Sequence, residues 1–322
     1  MKAMEFSALG HDHQKHVLSS LVEKGKLPHA LLFAGPGGVG KRTIAVELVK
    51  NLFCEKGSAC AMCRGCRNVE AGLHPDFTLV SGETSIKIDE LRAIMKEVYE
   101  SPFEAPVRVV LIDNAERMTR EAANALLKTL EEPPPSNLFV LVSSREQEIP
   151  LTVRSRCMRL GFGPLSTENL CLYFERVLKL DGQKAQVLAA MSNGSIASGL
   201  FWMEEEHYRM RQGIAELLAG RRQTSSRAAL LAERMTAKEH EMEYLSFLLS
   251  FFRDVWWLCQ TGDSDGLLNK DLAGIMNDAR AGGAAWAESS IIRIREMSKT
   301  LRYNINRWLA METLMLHLVR PA

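Results

Sequence analysis

Nine consecutive residues, Gly35-Pro36-Gly37-Gly38-Val39-Gly40-Lys41-Arg42-Thr43, have the types and spacing to hold phosphate groups. Glycines let a chain curl until successive amide hydrogens point inward, and a helix starting behind the curl adds partial positive charge. Lys41, closing the pattern Gly-x4-Gly-Lys, would then reach the outer phosphates of a nucleotide. Gly35, Gly37, Gly38, Gly40, Lys41, Arg42 and Thr43 are therefore the candidate residues for ATP or ADP. A glycine-rich turn with no ligand is the bland alternative. One position departs from a hydrolysing site: the residue after the lysine should carry the hydroxyl that holds Mg²⁺, and here it is Arg42. Thr43 comes one residue late, about 100° around a helix, and does not simply substitute.

The second group with chemistry is Cys54-x5-Cys60-x2-Cys63-x2-Cys66, four of the seven cysteines in the chain. Four thiolates at this spacing can converge on Zn²⁺ at about 2.3 Å each and order a segment too short for a core of its own. They leave no open coordination position, so the metal expected is structural and not catalytic. A redox pair or a chance cluster are the alternatives. Cys157, Cys171 and Cys259 stand alone and read as small packed hydrophobes.

These residues need particular elements behind and in front of them. The apolar run Ala30 to Ala34 supplies a strand before the glycines, and Ile44, Leu48 and Leu52 mark a helix from Thr43 to Phe53. A helix from about Gln14 to Lys24 precedes them. Phe77 to Val80 reads as a strand, and Asp89 is placed to cap a helix from Glu90 to about Glu100, with Leu91, Ile94, Met95 and Val98 on one face. Val107 to Asp113 is nearly continuously apolar and ends in an acid. Such runs belong to strands covered on both faces, and Asp113 falls at the carboxyl end, where a parallel sheet presents its ligands. A helix from about Arg120 to Leu130, a strand from Leu138 to Val142 and a last short strand from Met158 to Phe162 follow. Strands alternating with helices predict an α/β, doubly wound parallel sheet over residues 1–164, with the cysteine insertion at 54–66.

Beyond Pro164 the pattern is helical throughout. Residues 165–207 suggest a small three-helix unit, with helices Ser166 to Leu180, Gln183 to Met191 and Ser195 to about Glu206. Residues 208–322 carry longer helices: about Arg209 to Ala219, Ser226 to Thr236, Glu239 to Cys259, Ala284 to Thr300 and Asn304 to Leu318. In the third of these, Met242, Leu245, Leu249, Phe252 and Trp256 form an apolar stripe. Trp256, Trp257, Trp286 and Trp308 read as bundle core or subunit contact, because no basic residues interleave with them as base-stacking sites require.

A formal net charge of +1 offers no global field toward nucleic acid or membrane. The longest suggestive apolar stretch, Tyr244 to Phe252, is far short of a membrane span, and the first residues lack a signal-peptide core, so a cytoplasmic protein is expected.

The phosphate loop, the four-cysteine insertion, Gly72-Leu73-His74-Pro75-Asp76, Ala122-Ala123-Asn124-Ala125-Leu126-Leu127-Lys128-Thr129-Leu130-Glu131-Glu132-Pro133-Pro134 and Arg154-Ser155-Arg156-Cys157 together resemble one family. It is the AAA+ clamp-loader subunits of bacterial DNA polymerase III, most nearly their delta-prime branch. The resemblance covers about residues 5–165; the tail fits the family's lid and collar by length and pattern. It implies that Asp113 is the Walker B acid, that Asn114 stands where a working ATPase has glutamate, and that Ser143 or Ser144 is the polar sensor. It also implies that Ala197, in Gly194-Ser195-Ile196-Ala197, replaces the arginine that motor subunits turn toward the nucleotide. Arg42, Asn114 and Ala197 together remove ATPase parts, so weak or absent nucleotide binding and no intrinsic turnover are expected. Arg156 keeps its family context and is the expected arginine finger, acting on a neighbouring subunit's ATP. The partners implied are gamma/tau and delta subunits in a pentameric ring, with the sliding clamp and primed DNA met through that ring. Two rivals remain: an ATP-hydrolysing gamma/tau-type motor, and a stand-alone zinc-containing DNA-binding protein, which salt-dependent DNA affinity of the isolated chain would favour.

Overall fold

The computed structural model describes residues 4–82, 84–220, 225–237, 240–301, 303 and 305–319. Two compact units divide the chain: Met1–Leu170 with Gly194–Ala197, and Cys171–Asn193 with Ser198–Ala322.

The first unit is built on a parallel sheet. Among the described residues it has five strands: β1 (Ala30–Ala34), β2 (Phe77–Ser81), β3 (Arg108–Asp113), β4 (Asn137–Ser143) and β5 (Met158–Gly161). Their order across the sheet is β2-β3-β4-β1-β5. Leu31 sits beside Val140 on one side and Met158 on the other, and Leu111 lies between Leu79 and Val140. Helices α1 (Asp12–Glu23), α2 (Lys41–Phe53), α3 (Arg64–Glu70), α4 (Ile88–Glu97), α5 (Arg120–Glu131) and α6 (Leu151–Arg154) cover it.

The strand period of two sorts the side chains between two cores. Leu31, Phe33, Val109, Leu111 and Val140 pack with Leu18 of α1 and Ile44, Leu48 and Val49 of α2. Ala30, Leu32, Val110, Ile112 and Phe139 pack on the other face with Leu91 and Met95 of α4 and Ala122, Leu126 and Leu130 of α5. Every residue of β1, β3 and β4 is buried, as two-sided covering requires.

Several boundaries differ from the sequence expectation. Helix α4 begins earlier, with Lys87 at its N-cap and Asp89 already in the first turn, where its charge still favours the helix dipole. Helix α3 lies inside the cysteine insertion, too short for an apolar period to announce it. Helix α5 matches the expected span closely, and at its start Thr119 Oγ1 accepts a capping bond from the amide of Ala122 at 3.2 Å.

Beyond β5 every described element is helical. These are α7 (Thr167–Arg176), α8 (Gly182–Met191), α9 (Ile196–Met203), α10 (Glu205–Leu218), α11 (Ser225–Thr236), α12 (Glu241–Thr261), α13 (Ala273–Ala279), α14 (Gly283–Thr300) and α15 (Arg307–Leu318). The expected helix Ser195 to Glu206 is two helices, divided at Glu204. The starts expected at Glu239 and Asn304 lie outside the described residues. The expected stripe on α12 needs correction, because Met242 is 53% and Trp256 38% exposed. Tyr244, Leu245, Phe247, Leu248, Phe251, Phe252, Val255 and Leu258 are buried instead, a face too wide for a single stripe. Trp308 is likewise 45% exposed, whereas the ring of Trp286 meets Phe252 edge-on at 4.9 Å. No helix among the described residues is long and apolar enough to cross a membrane.

Candidate functional site

The glycine loop leaves β1 at its carboxyl end and runs into α2, the strand–loop–helix arrangement its sequence calls for. Gly38 has φ +71°, and a Cβ there would lie 2.3 Å from Ser195 Oγ and 2.5 Å from Ala197 Cβ. Only glycine fits. The Gly38 carbonyl also accepts from the amides of Ile196 at 2.9 Å and Ala197 at 3.4 Å, so the segment 194–197 is laid directly on the loop. Ala197 is thus brought to the loop, at a position from which its methyl offers no charge.

The cationic groups of the loop are turned onto the protein itself. Lys41 is only 5% exposed, and its Nζ donates to the carbonyl oxygens of Gly35, at 2.7 Å, and Pro36. Burial lowers its pKa, against the nearby charges of Glu116 and Asp113. Arg42 Nη1 donates to Asp113 Oδ2 at 3.3 Å, with its side chain half exposed and that of Asp113 largely buried. Asp113 ends β3, one strand beyond β4 from the loop, and its other oxygen accepts from the Asn114 amide at 3.1 Å. Asn114 itself takes a left-handed conformation, φ 53°, that carries the chain away from the strand.

Glu116 is the residue that sequence reasoning missed. Its side chain is 2% exposed, and Oε1 accepts from the Ser144 hydroxyl at 2.6 Å and the Ser144 amide at 3.2 Å. Burial opposes its charge, but the bonds from Ser144 and Ser143 outweigh that and hold its pKa below the ordinary glutamate value. A carboxylate therefore lies near Lys41 after all, with one oxygen committed to Ser144. Its three-residue distance from Asp113, on a turn after the strand, was the available signal. Ser143 Oγ accepts from the Arg145 amide at 3.0 Å. His11 was missed too: Nε2 meets the Val39 carbonyl at 2.8 Å, and the ring stacks edge-on to Phe162 at 4.9 Å. Burial lowers its pKa.

The four cysteines converge. The sulfurs of Cys54, Cys60, Cys63 and Cys66 all lie within 4.8 Å of one another, with Cys54 and Cys63 3.9 Å apart. A tetrahedron with metal–sulfur bonds of about 2.3 Å has edges of about 3.8 Å, so the donor set fits a thiolate-bound ion. Helix α3 delivers Cys66, and Cys63 Sγ caps that helix by accepting from the Cys66 amide at 3.5 Å. Burial disfavours the Cys54 thiolate, yet the amides of Cys60, Ser58 and Lys56 bring its pKa down to about 6. The amides of Met62 and Cys63 lower that of Cys60, whereas burial pushes Cys66 up to about 12. The end of the insertion is tied to α2 by His74, whose ring packs on Phe53 at 4.3 Å, and to the loop before β3 by Asp76. Asp76 is fully buried and accepts from the amides of Phe103, Glu104 and Ala105 at 2.6, 2.8 and 2.9 Å.

Arg156 lies apart from these groups, just past α6. Its Nη1 donates to the Thr152 carbonyl at 2.8 Å and its Nη2 to Glu131 Oε1 at 2.6 Å, with a third of the side chain exposed. Cys157 beside it packs against the core, and burial raises its pKa to about 11.

Comparison with known proteins agrees with this arrangement. A family model described as DNA polymerase III, delta subunit, matches residues 10–166. The DNA polymerase III subunit delta' of Bacillus subtilis is 32% identical over 314 residues, covering 94% of this chain and 93% of that protein. The DNA polymerase III subunit gamma of Buchnera aphidicola from Schizaphis graminum is 33% identical over 212 residues, 62% of this chain and 58% of the relative. The subunit tau of Escherichia coli is 34% identical over 198 residues, 58% of this chain and 31% of the relative. The gamma and tau likenesses thus stop well short of the full chain, whereas the delta' likeness runs through both proteins almost end to end. The chain belongs to the delta-prime family of DNA polymerase III clamp-loader subunits.

Proposed function

We propose that this chain is a non-hydrolysing clamp-loader subunit that supplies Arg156 as an arginine finger to the nucleotide site of a neighbouring ATPase subunit. The observation that carries the reading is a contrast inside the first unit. Lys41 of its own phosphate loop is buried on backbone carbonyls and Arg42 is paired with Asp113, the acid that would recruit Mg²⁺, while Arg156 is partly exposed and keeps donors beyond its bonds to Thr152 and Glu131. A guanidinium has five N–H donors, and the two contacts of Arg156 leave the others for a phosphoryl group.

In this reading residues 1–164 are the nucleotide-binding-type module, 165–207 a lid and 208–322 the collar through which the ring assembles. Gamma/tau-type and delta subunits are the immediate partners; the sliding clamp and primed DNA are met through the assembled complex. Zinc is the ion proposed for Cys54, Cys60, Cys63 and Cys66, on the fit of four sulfurs to a tetrahedron. Its role there is to cross-link the insertion, and no reaction step passes through it.

An arginine finger stabilises charge that grows in the transition state, and in phosphoryl transfer such fingers contribute roughly 10³–10⁵ in rate. Arg156→Ala is expected to fold, to join gamma/tau-type and delta subunits in a complex, and to lower hydrolysis at the neighbouring site and clamp loading steeply. Arg156→Lys rescues little, because a point charge on a flexible stem does not reproduce the planar fork. ATP hydrolysis at the wild-type rate by assembled Arg156→Ala complexes, with clamp and primed DNA present, would overturn the assignment. The matches to gamma and tau favour a second reading, a motor subunit. Hydrolysis by the isolated wild-type chain that is lost in Lys41→Ala would establish it.

A further inference from the structure

The helix that ends in Leu130-Glu131-Glu132-Pro133-Pro134 has no task in the function proposed so far, yet its last residue touches the finger. Glu131 closes α5, and the prolines that follow cannot continue the helix, so its position is fixed by where α5 stops. Arg156 lies in the turn after α6, with its own amide donating to the Val153 carbonyl at 3.1 Å. Its side chain folds back over α6 to the Thr152 carbonyl and then reaches α5 through Nη2 and Glu131 Oε1. Two anchors on two helices therefore define both the direction of the side chain and the plane of the guanidinium.

We infer that Glu131 is a positioning residue for Arg156, holding the guanidinium outward in the orientation from which it meets a phosphoryl group on another subunit. The inference rests on the trans-acting role of Arg156 proposed above. An unanchored arginine has about 2 kcal/mol of rotamer entropy to lose when it docks. As a contribution to stability the pair is minor, since both side chains are partly exposed and such pairs are worth about 0–1 kcal/mol. Its effect is expected in the reaction. Each terminal nitrogen carries two hydrogens and gives one to its anchor, so the anchored fork keeps N–H groups on both arms as well as Nε. Thr152 contributes through its backbone and persists in any side-chain variant. Glu131 is thus the anchor that substitution can remove.

The test uses the clamp-loader complex reconstituted with gamma/tau-type and delta subunits, with ATP hydrolysis followed in the presence of clamp and primed DNA. Glu131→Ala is expected to lower kcat by about 10-fold to 100-fold, the scale on which misplacing a reacting group acts. KM for ATP and complex assembly should stay near wild type. Glu131→Gln, which keeps an acceptor oxygen of the same reach, should restore most of the rate. A structural role alone would move assembly or thermal stability and would not show this split. In the double variant Arg156→Ala/Glu131→Ala, the second substitution should add nothing, because the group it positions is gone. If Arg156→Ala slows hydrolysis and Glu131→Ala does not, the positioning role is refuted and the finger stands. If Glu131→Ala raises the rate, the carboxylate restrains the finger and the inference is likewise overturned. If neither variant changes the rate, the trans-acting reading itself has failed.

Discussion

Arg42 stands where a hydrolysing loop needs a hydroxyl, and its guanidinium is bonded to Asp113. Since the family reading gives Asp113 the task of holding Mg²⁺ through water, the pair places a fixed cation against the acid that would recruit a mobile one. Lys41 has taken backbone carbonyls as partners, so nucleotide binding must first break its bonds to Gly35 and Pro36. Wild-type chain is therefore expected to bind Mg-ATP weakly or not at all and to show no turnover. Arg42→Thr should tighten Mg²⁺-dependent nucleotide binding by about tenfold or more, the scale of one charge-assisted hydrogen bond. It should still not hydrolyse ATP, because Asn114 can orient a water but cannot accept its proton. Glu116 does not make up that loss while its Oε1 accepts from Ser144. Calorimetric titration with ATP, with and without Mg²⁺, beside a phosphate-release assay, checks both parts. Turnover by Arg42→Thr would show that Glu116 or another base is competent.

The cysteine module is the element in which the proposed zinc should matter most to local order. Helix α3 has seven residues, below the length at which an isolated helix is stable in water. It is capped by Cys63 and carries Cys66, so binding of the proposed ion would be coupled to helix formation. One Zn²⁺ per chain is expected by elemental analysis of protein purified without chelator. Cys63→Ser should reduce that to near zero and loosen residues 54–72 in hydrogen exchange, while β1, β3 and β4 stay protected. The confinement follows from Asp76 and His74, which fasten the end of the insertion to the loop before β3 and to α2 independently of the sulfurs. Metal-free protein with an unchanged exchange pattern would refute it. Helix α5 is an element of another kind: its N-terminal cap is local, but its last side chain accepts a bond from Arg156, in the turn after α6.

Across the whole molecule, buried charge is not confined to the phosphate loop: the second unit gathers its own in a network. Arg211 is 1% exposed, with its terminal nitrogens bonded to Asp271 at 2.5 and 3.0 Å and to Asn269 Oδ1 at 2.7 Å. Asn269 in turn donates to Asp254, which also accepts from the amides of Leu268 and Asn269. The network joins α10, α12 and the segment before α13. Removing one member leaves the others buried without their counter-charge, a change that costs about 3–5 kcal/mol. Arg211→Ala should lower the urea midpoint of the second unit by a corresponding amount, read by fluorescence of Trp257 and Trp286. The metal content of the cysteine module should not change. A midpoint within error of wild type would show that the network is neutral to folding.

The amino-acid sequence by itself determined the repeating elements and the chemistry of contiguous groups. The inner strands β1, β3 and β4 were legible because both faces are covered, which makes each a nearly unbroken apolar run. The phosphate loop and the four cysteines were legible because their ligands lie within a few residues of one another. The departure at Arg42 was legible from the loop pattern alone, and those at Asn114 and Ala197 could be named once the family was recognised. Short helices such as α3 and α13 escaped, because seven residues give too little period to detect. The broad buried face of α12 escaped for the opposite reason, as packing on several sides erases the contrast a stripe depends on. Only the tertiary structure decided which charged groups meet. Arg42 and Asp113 are 71 positions apart, Arg156 and Glu131 25, and Glu116 and Ser144 28. Nothing local in the chain specifies those pairs. They form because a parallel sheet gathers the carboxyl ends of its strands at one edge, where Arg42, Asp113, Glu116 and Ser144 meet, and their starts at the other, where Arg156 and Glu131 precede β5 and β4.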